Sequence, residues 1–325
     1  MTVFVIRRLM QAMIVVFIMS IIVFFGVNVI GDPVYMLVSP DADQADIQAT
    51  IERLGLDRPI YEQYFRFLAG AWQGDLGNSF IFGEPALKLI LHHMPATLEL
   101  AFTALFMAIV AGIPLGLYAG LYPDRAASKA VMAGSILGFS LPTFWVGLML
   151  IMLFAVILGW LPSTGRGDTV NVLGFETSLL TADGLSHVLL PALNLSLLKI
   201  SLAVRLTRAG VREAMGQDYV KFARAKGIST RRIIGVHVMK NIMIPVVTVL
   251  GLEFGSLVAF SVVTESIFAW PGMGKLLIDA ILQLDRPIVV AYLMIIVLFF
   301  VVINLVVDII YSILDPRVRL QDKTT

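Results

Sequence analysis

Charged side chains are scarce along this chain, and those that fall in its apolar stretches are the first candidates for chemistry. Glu99, Lys199, Glu253 and Asp308 lie within or beside long apolar runs. An ionisable group at mid-bilayer costs about 2.5–3.5 kcal/mol on insertion scales, so it faces a cavity or a partner. Glu253 and Glu99 can line a polar pathway and meet a ligand amine. The alternative for each is a buried ion pair or an interfacial position. Lys199 and Asp308 read as packing or inter-helix pairing. A second concentration of charge runs from Arg205 to Lys240, with nine Lys/Arg against the two acids Glu213 and Asp218. Its 36 residues are fewer than a domain with its own core requires. A short ordered loop of this kind suits contact with a partner better than catalysis.

Catalytic templates fail on their spacing. Gly272-Met273-Gly274-Lys275-Leu276 has the outline of a phosphate loop, but Ala269 stands where the first glycine belongs and Leu276 cannot ligate magnesium. His92 and His93 are adjacent, so they do not share a helix face as a zinc pair would, and a solvated loop is expected there. No Ser/His/Asp arrangement stands out. With no cysteine, disulfides and thiolate metal sites are excluded. The expectation is a chain that is not an enzyme, with no catalytic residue, no metal and no cofactor of its own. Its basic residues mark membrane orientation, and no base-stacking motif points to nucleic acid.

The elements that must position these residues are membrane helices. Of 325 residues, 58% are hydrophobic and 14% charged, against roughly 25% charged in soluble chains. About 20 apolar residues cross a bilayer, and six runs qualify: 9–30, 96–122, 130–161, 187–204, 242–264 and 288–314. The first is too long for a signal-peptide core and no A-x-A-like site follows, so it reads as retained. Sixteen Lys/Arg fall in the segments that six spans place inside, and seven in those placed outside. The positive-inside rule then sets both termini in the cytoplasm. Residues 31–95 form an acidic external segment. There Ile47, Ile51 and Leu54, then Tyr61, Tyr64, Phe65 and Leu68, recur at helical spacing, punctuated by Gly55, Pro59 and Gly74. The glycine pairs Gly112/Gly116/Gly120, Gly134/Gly138 and Gly251/Gly255 suit close helix packing. Pro114 and Pro142 are candidate kinks. The chain thus divides into 1–30 with the first helix, an external helical insertion 31–95, and a five-helix core 96–325 carrying the loop 205–240.

Several segments, in order, resemble the B-type membrane subunit of the peptide/nickel branch of ATP-binding-cassette importers. They are Arg7-Arg8-Leu9, Gly31-Asp32-Pro33, Leu54-Gly55-Leu56-Asp57-Arg58-Pro59, Gly74-Asp75-Leu76-Gly77 and Pro95-Ala96-Thr97-Leu98-Glu99-Leu100. Asp218-Tyr219 and Ala223-Arg224-Ala225-Lys226-Gly227 follow, then Asn241, Pro245, Thr264-Glu265, Trp270-Pro271-Gly272-Met273-Gly274 and Asp315-Pro316. The general loop motif of that family, E-A-A-x-x-x-G-x9-I-x-L-P, is degenerate here. Lys221, Phe222, His237, Met239 and Lys240 depart from it, while the branch version A-R-A-K-G is present.

The resemblance implies an all-α, six-helix type I importer permease of MetI-like fold in a bacterial cytoplasmic membrane. It implies four kinds of partner: a second homologous permease, two ATPase subunits that hold ATP and Mg, an external binding protein, and the bilayer. A coupling helix near Gln217–Ser229 would seat in the ATPase. There Ala223, Ala225 and Gly227 would permit close approach, and Lys221, Arg224 and Lys226 would pair with acids, beside Asp218 and Tyr219. Glu265 joins Glu99 and Glu253 as a pathway candidate. Trp270 and Pro271 are either an external gate or a structural turn. Short peptides are the expected cargo, with nickel chelates, glutathione or opine-like compounds as alternatives. A secondary transporter or channel is the reading of a different class; against it, no inverted repeat is evident. A structural scaffold is a third.

Overall fold

The computed structural model describes residues 2–28, 34, 38, 43–172 and 174–314, with side-chain surroundings at 8–27, 34, 38, 43–52, 55–172 and 174–307. The side chains of Arg7 and Asp308, and the segments Gly31-Asp32-Pro33 and Asp315-Pro316, fall outside these. The chain forms α1 (Thr2–Asn28), α2 (Gln44–Leu54), α3 (Ile60–Trp72), α4 (Ala86–Leu121), α5 (Ala126–Ser140), α6 (Thr143–Leu150) and a π-helical continuation, Ile151–Ile157. A hairpin of β1 (Val170–Val172) and β2 (Phe175–Thr177) follows. Then come α7 (Ala182–Gly216), α8 (Asp218–Ala225), the single turn α9 (Thr230–Arg232) and a second π segment, Ile233–Val238. The last elements are α10 (Met239–Ile267), α11 (Met273–Leu282) and α12 (Arg286–Leu314).

Among the described residues, five stretches are long and apolar enough to cross a membrane: Arg8–Val27, Ala86–Leu121, Ala182–Gly216, Thr230–Ile267 and Arg286–Val307. The expected third span is not one straight helix. It is α5 plus α6 and its π continuation, bent by 109°, and counts as the sixth span when the bent pair is taken as one. Pro142 causes the break, because proline pushes the residue before it out of the helical region. Leu141 accordingly lies at φ −82°, ψ 137°. Pro114, by contrast, sits inside the unbroken α4. His92 and His93 are on α4, not in a loop; the Nδ1 of His93 is 2.8 Å from the carbonyl oxygen of Leu89.

The chain forms two compact units. One comprises 1–97 and 271–302, the other 98–270 and 303–325. In the first, α3 packs on α1: Phe24 stacks on Phe67 at 5.5 Å, and the hydroxyls of Ser20 and Tyr64 are 2.9 Å apart. The turn after α3 is clasped by Asp285, whose carboxylate accepts from Ser79 Oγ at 2.5 Å and from the Phe80 amide at 3.1 Å. Met273 donates its amide to Thr97 Oγ1 at 2.8 Å, which caps α11.

The second unit is organised on α7, which has no exposed residue from 190 to 208. Thr181 caps it by accepting from the Gly184 amide. A glycine ladder on α4 lets α7 approach. A Cβ on Gly112 would lie 2.5 Å from Ala203 Cβ, on Gly116 2.6 Å from the Val204 carbonyl oxygen, and on Gly120 2.7 Å from Val211 Cβ. Gly138 meets Ser201 at 3.1 Å, but Gly134 meets nothing within 4 Å, so only half of that pair serves packing.

Candidate functional site

The basic loop folds as α8, set off from α7 by the extended residue Gln217 (ψ 152°). Val220 and Ala223 point into a core with Val211, Ala214, Ile233, Val238 and Ile242. Ala223 is therefore spent on the chain's own packing, and the expectation that it admits a partner closely is corrected. The opposite face is open. Asp218, Tyr219, Lys221, Arg224, Ala225, Lys226 and Gly227 are all exposed. Lys221 reaches Asp218 at 2.8 Å. Phe222, named above only as a departure from the loop motif, is 62% exposed, with the Lys226 ammonium 4.4 Å over its ring. Its signal was present: a large apolar residue between basic ones, out of phase with Val220 and Ala223.

Gly227 ends α8 at φ +73°. Its amide donates to the Arg224 carbonyl and that of Ile228 to the Ala223 carbonyl, the bond pair of a Schellman cap. Glycine is required here by the backbone, since a left-handed conformation costs other residues about 1–2 kcal/mol. A Cβ would meet nothing within 4 Å.

Glu99 lies on α4 and is sealed. Arg166 Nη2 reaches its Oε2 at 2.5 Å and Arg166 Nε the same oxygen at 3.2 Å. Ser178 donates both its amide, at 2.9 Å, and its hydroxyl to Oε1. Arg166 also donates to the Glu176 carbonyl at 2.7 Å and lies 5.9 Å from the Trp270 ring. These bonds tie the β-hairpin loop to α4. Of the readings open for Glu99 (a polar pathway, a buried ion pair or an interfacial position), the structure has the buried ion pair. Glu265 is also fully buried and accepts from Ser261 Oγ at 2.8 Å. Trp270 is fully buried, with its amide on the Glu265 carbonyl. Ala269 before it adopts φ +46°. Trp270 thus belongs to a packed turn, followed at Pro271 by the approach to α11, and neither it nor Glu265 offers surface to a pathway here.

Glu253 on α10 is more open. Its carboxylate pairs with Lys199 of α7, whose ammonium also reaches Ser256 Oγ at 2.7 Å. The Ser256 hydroxyl in turn lies 2.8 Å from both Glu253 Oε2 and the Glu253 carbonyl oxygen, either of which can accept its one proton. The Lys199 and Glu253 side chains are 16% and 30% exposed. Lys199, expected to serve packing or inter-helix pairing, has its partner 54 residues away.

The family described as "Binding-protein-dependent transport system inner membrane component" matches residues 112–320, and its N-terminal membrane component matches 1–101. The glutathione transport system permease protein GsiC of Escherichia coli (strain K12) is 36% identical over 317 residues, 97% of this chain and 98% of that protein. The di/tripeptide transport system permease protein DppB of Pseudomonas aeruginosa (strain UCBPP-PA14) is 38% identical over 320 residues, 92% and 95% of the two chains. Among solved structures, a chain of the inward-facing MetNI methionine ABC transporter superposes with TM-score 0.52 at 17% identity, over 70% of this chain and 97% of that one. That likeness bears on the fold alone, and it is the MetI-like permease fold. With two family matches spanning nearly the whole chain and relatives that are themselves permeases, this chain belongs to the inner-membrane components of binding-protein-dependent transport systems and is a permease subunit of an ATP-binding-cassette importer.

Proposed function

We propose that this subunit imports short peptides, glutathione among them, as half of a pathway completed by a second permease. Two ATPase subunits, which bind ATP and Mg, drive it, and a binding protein delivers cargo to the outer face. The observation that carries the coupling is α8: it is anchored by Val220 and Ala223 and presents Tyr219, Lys221, Phe222, Arg224, Ala225, Lys226 and Gly227 outward. Arg224 and Lys226 have no carboxylate partner among the described residues of this chain. Acids lining a cleft of the ATPase would supply them, and Phe222 would fill an apolar pocket there. ATP-driven closure of the ATPases would then rock α7 and α10 through this contact, in alternating access. In this reading both termini are cytoplasmic, and residues 31–95 face outward as a helical cap.

The peptide reading draws on the relatives, which are named for glutathione and for di/tripeptides. The test is purification of the tagged chain from native membranes, then reconstitution of what copurifies, with ATP inside and the binding protein outside. ATP-dependent uptake of a dipeptide or of glutathione is the expected result. Transport by the chain alone under an ion gradient would overturn the importer assembly in favour of a secondary transporter.

A further inference from the structure

We propose that Lys199, Glu253 and Ser256 form a charge-exchange site for the two ends of a zwitterionic peptide, an inference that rests on the peptide-import reading. The argument begins with cost. A charge facing acyl chains is expensive, and intramembrane ionisable residues face a bundle interior or an aqueous cavity. Glu253 is 30% exposed on a membrane-spanning helix, so its open side fronts the pathway rather than lipid. At rest each charge is satisfied by the other, which avoids leaving either unpaired. The pair is not sealed as Glu99 is, so its partners can be replaced.

A zwitterion replaces them without net change in charge. The peptide carboxylate takes the Lys199 ammonium, and the peptide ammonium takes Glu253. Two ion pairs then stand where one stood. A dipeptide spans on the order of 7 Å, and the four-carbon stem of lysine lets its ammonium swing away by several ångströms. Ser256 stays beside the acid during the exchange: its hydroxyl lies 2.8 Å from both Glu253 Oε2 and the Glu253 carbonyl oxygen, and its one proton can turn to the carboxylate when Lys199 leaves. Phe260, one turn beyond Ser256 on α10, is 74% exposed. Its ring would offer apolar surface along the same face of α10 for a peptide side chain. The site therefore recognises termini and tolerates side chains.

The experiment uses the reconstituted complex with its binding protein saturated in turn by Ala-Ala, Ala-Ala amide and N-acetyl-Ala-Ala, and reads the ratio of uptake rates. The wild type favours Ala-Ala at least tenfold over each blocked peptide. Lys199→Met abolishes discrimination against the amide only, and Glu253→Gln abolishes discrimination against the acetylated peptide only. Where a single variant does not assemble, Lys199→Met/Glu253→Met leaves no lone charge and abolishes both. Ratios within twofold of wild type in these variants would overturn the site and leave the pair as packing. A wild-type complex that takes up neither dipeptide nor glutathione would instead overturn the peptide-import reading itself.

Discussion

Glu99 and Glu253 are both carboxylates in apolar helices, both paired with a base from a distant segment, yet their surroundings differ. Glu99 receives Arg166 twice and Ser178 twice, and its side chain is 5% exposed. Glu253 receives one ammonium and one hydroxyl and stays 30% exposed. Burial with every lone pair occupied makes a rivet. Burial left incomplete makes a contact whose partners can be exchanged. The residue type is the same, so the distinction rests on how many donors the fold brings to each.

The largest test of that comparison is removal of each acid. Glu99→Ala strands a buried guanidinium and should cost about 3–5 kcal/mol. Glu253→Ala should cost less, about 1.5–3 kcal/mol, because Lys199 keeps Ser256. Thermal melting of the purified complex reads both, and equal losses would erase the distinction. Arg166→Lys comes next. A single ammonium cannot serve Glu99 and the Glu176 carbonyl as the planar fork does, so about 2 kcal/mol should be lost despite the retained charge. Ser178→Ala should then lower stability by about 1.5 kcal/mol, while Ser256→Ala should cost under about 1 kcal/mol. A reversed order would place the rivet at α10 instead. The Gly227→Ala change should cost about 1 kcal/mol, confined to the end of α8. It touches neither carboxylate, yet uptake should fall several-fold if α8 is the coupling contact. Unchanged uptake would show that α8 tolerates a strained cap.

Much of the architecture was legible because lipid imposes a strong compositional signal. The spans, and the short helices α2 and α3, follow from apolar runs and from Ile47/Ile51 and Tyr61/Tyr64/Phe65 spacing. The break at Leu141–Pro142 was visible as a proline but not as a 109° bend, since Pro114, Pro191 and Pro245 all sit within helices that continue. The two π segments and the hairpin escaped notice. Their apolar residues do not differ in composition from helix, and Val170–Thr177 is too short to show alternation. Ala223 was misassigned because the motif fixes a residue type, whereas the phase of α8 decides which side it faces. Glu99–Arg166 and Lys199–Glu253 are 67 and 54 residues apart, and no local pattern announces such meetings.

The clasp of Asp285 on the turn at Ser79 bears on how this chain is made. Donor and acceptor are 206 residues apart, and Met273 reaches Thr97 across 176. At about 5–20 residues per second, synthesis of the intervening chain takes on the order of 10–40 s. Throughout that interval the Phe80 amide and the Ser79 hydroxyl wait without the carboxylate that later holds them. The first-made unit thus completes itself only near the end of translation, and a nascent chain halted before residue 285 would leave the turn after α3 unfastened.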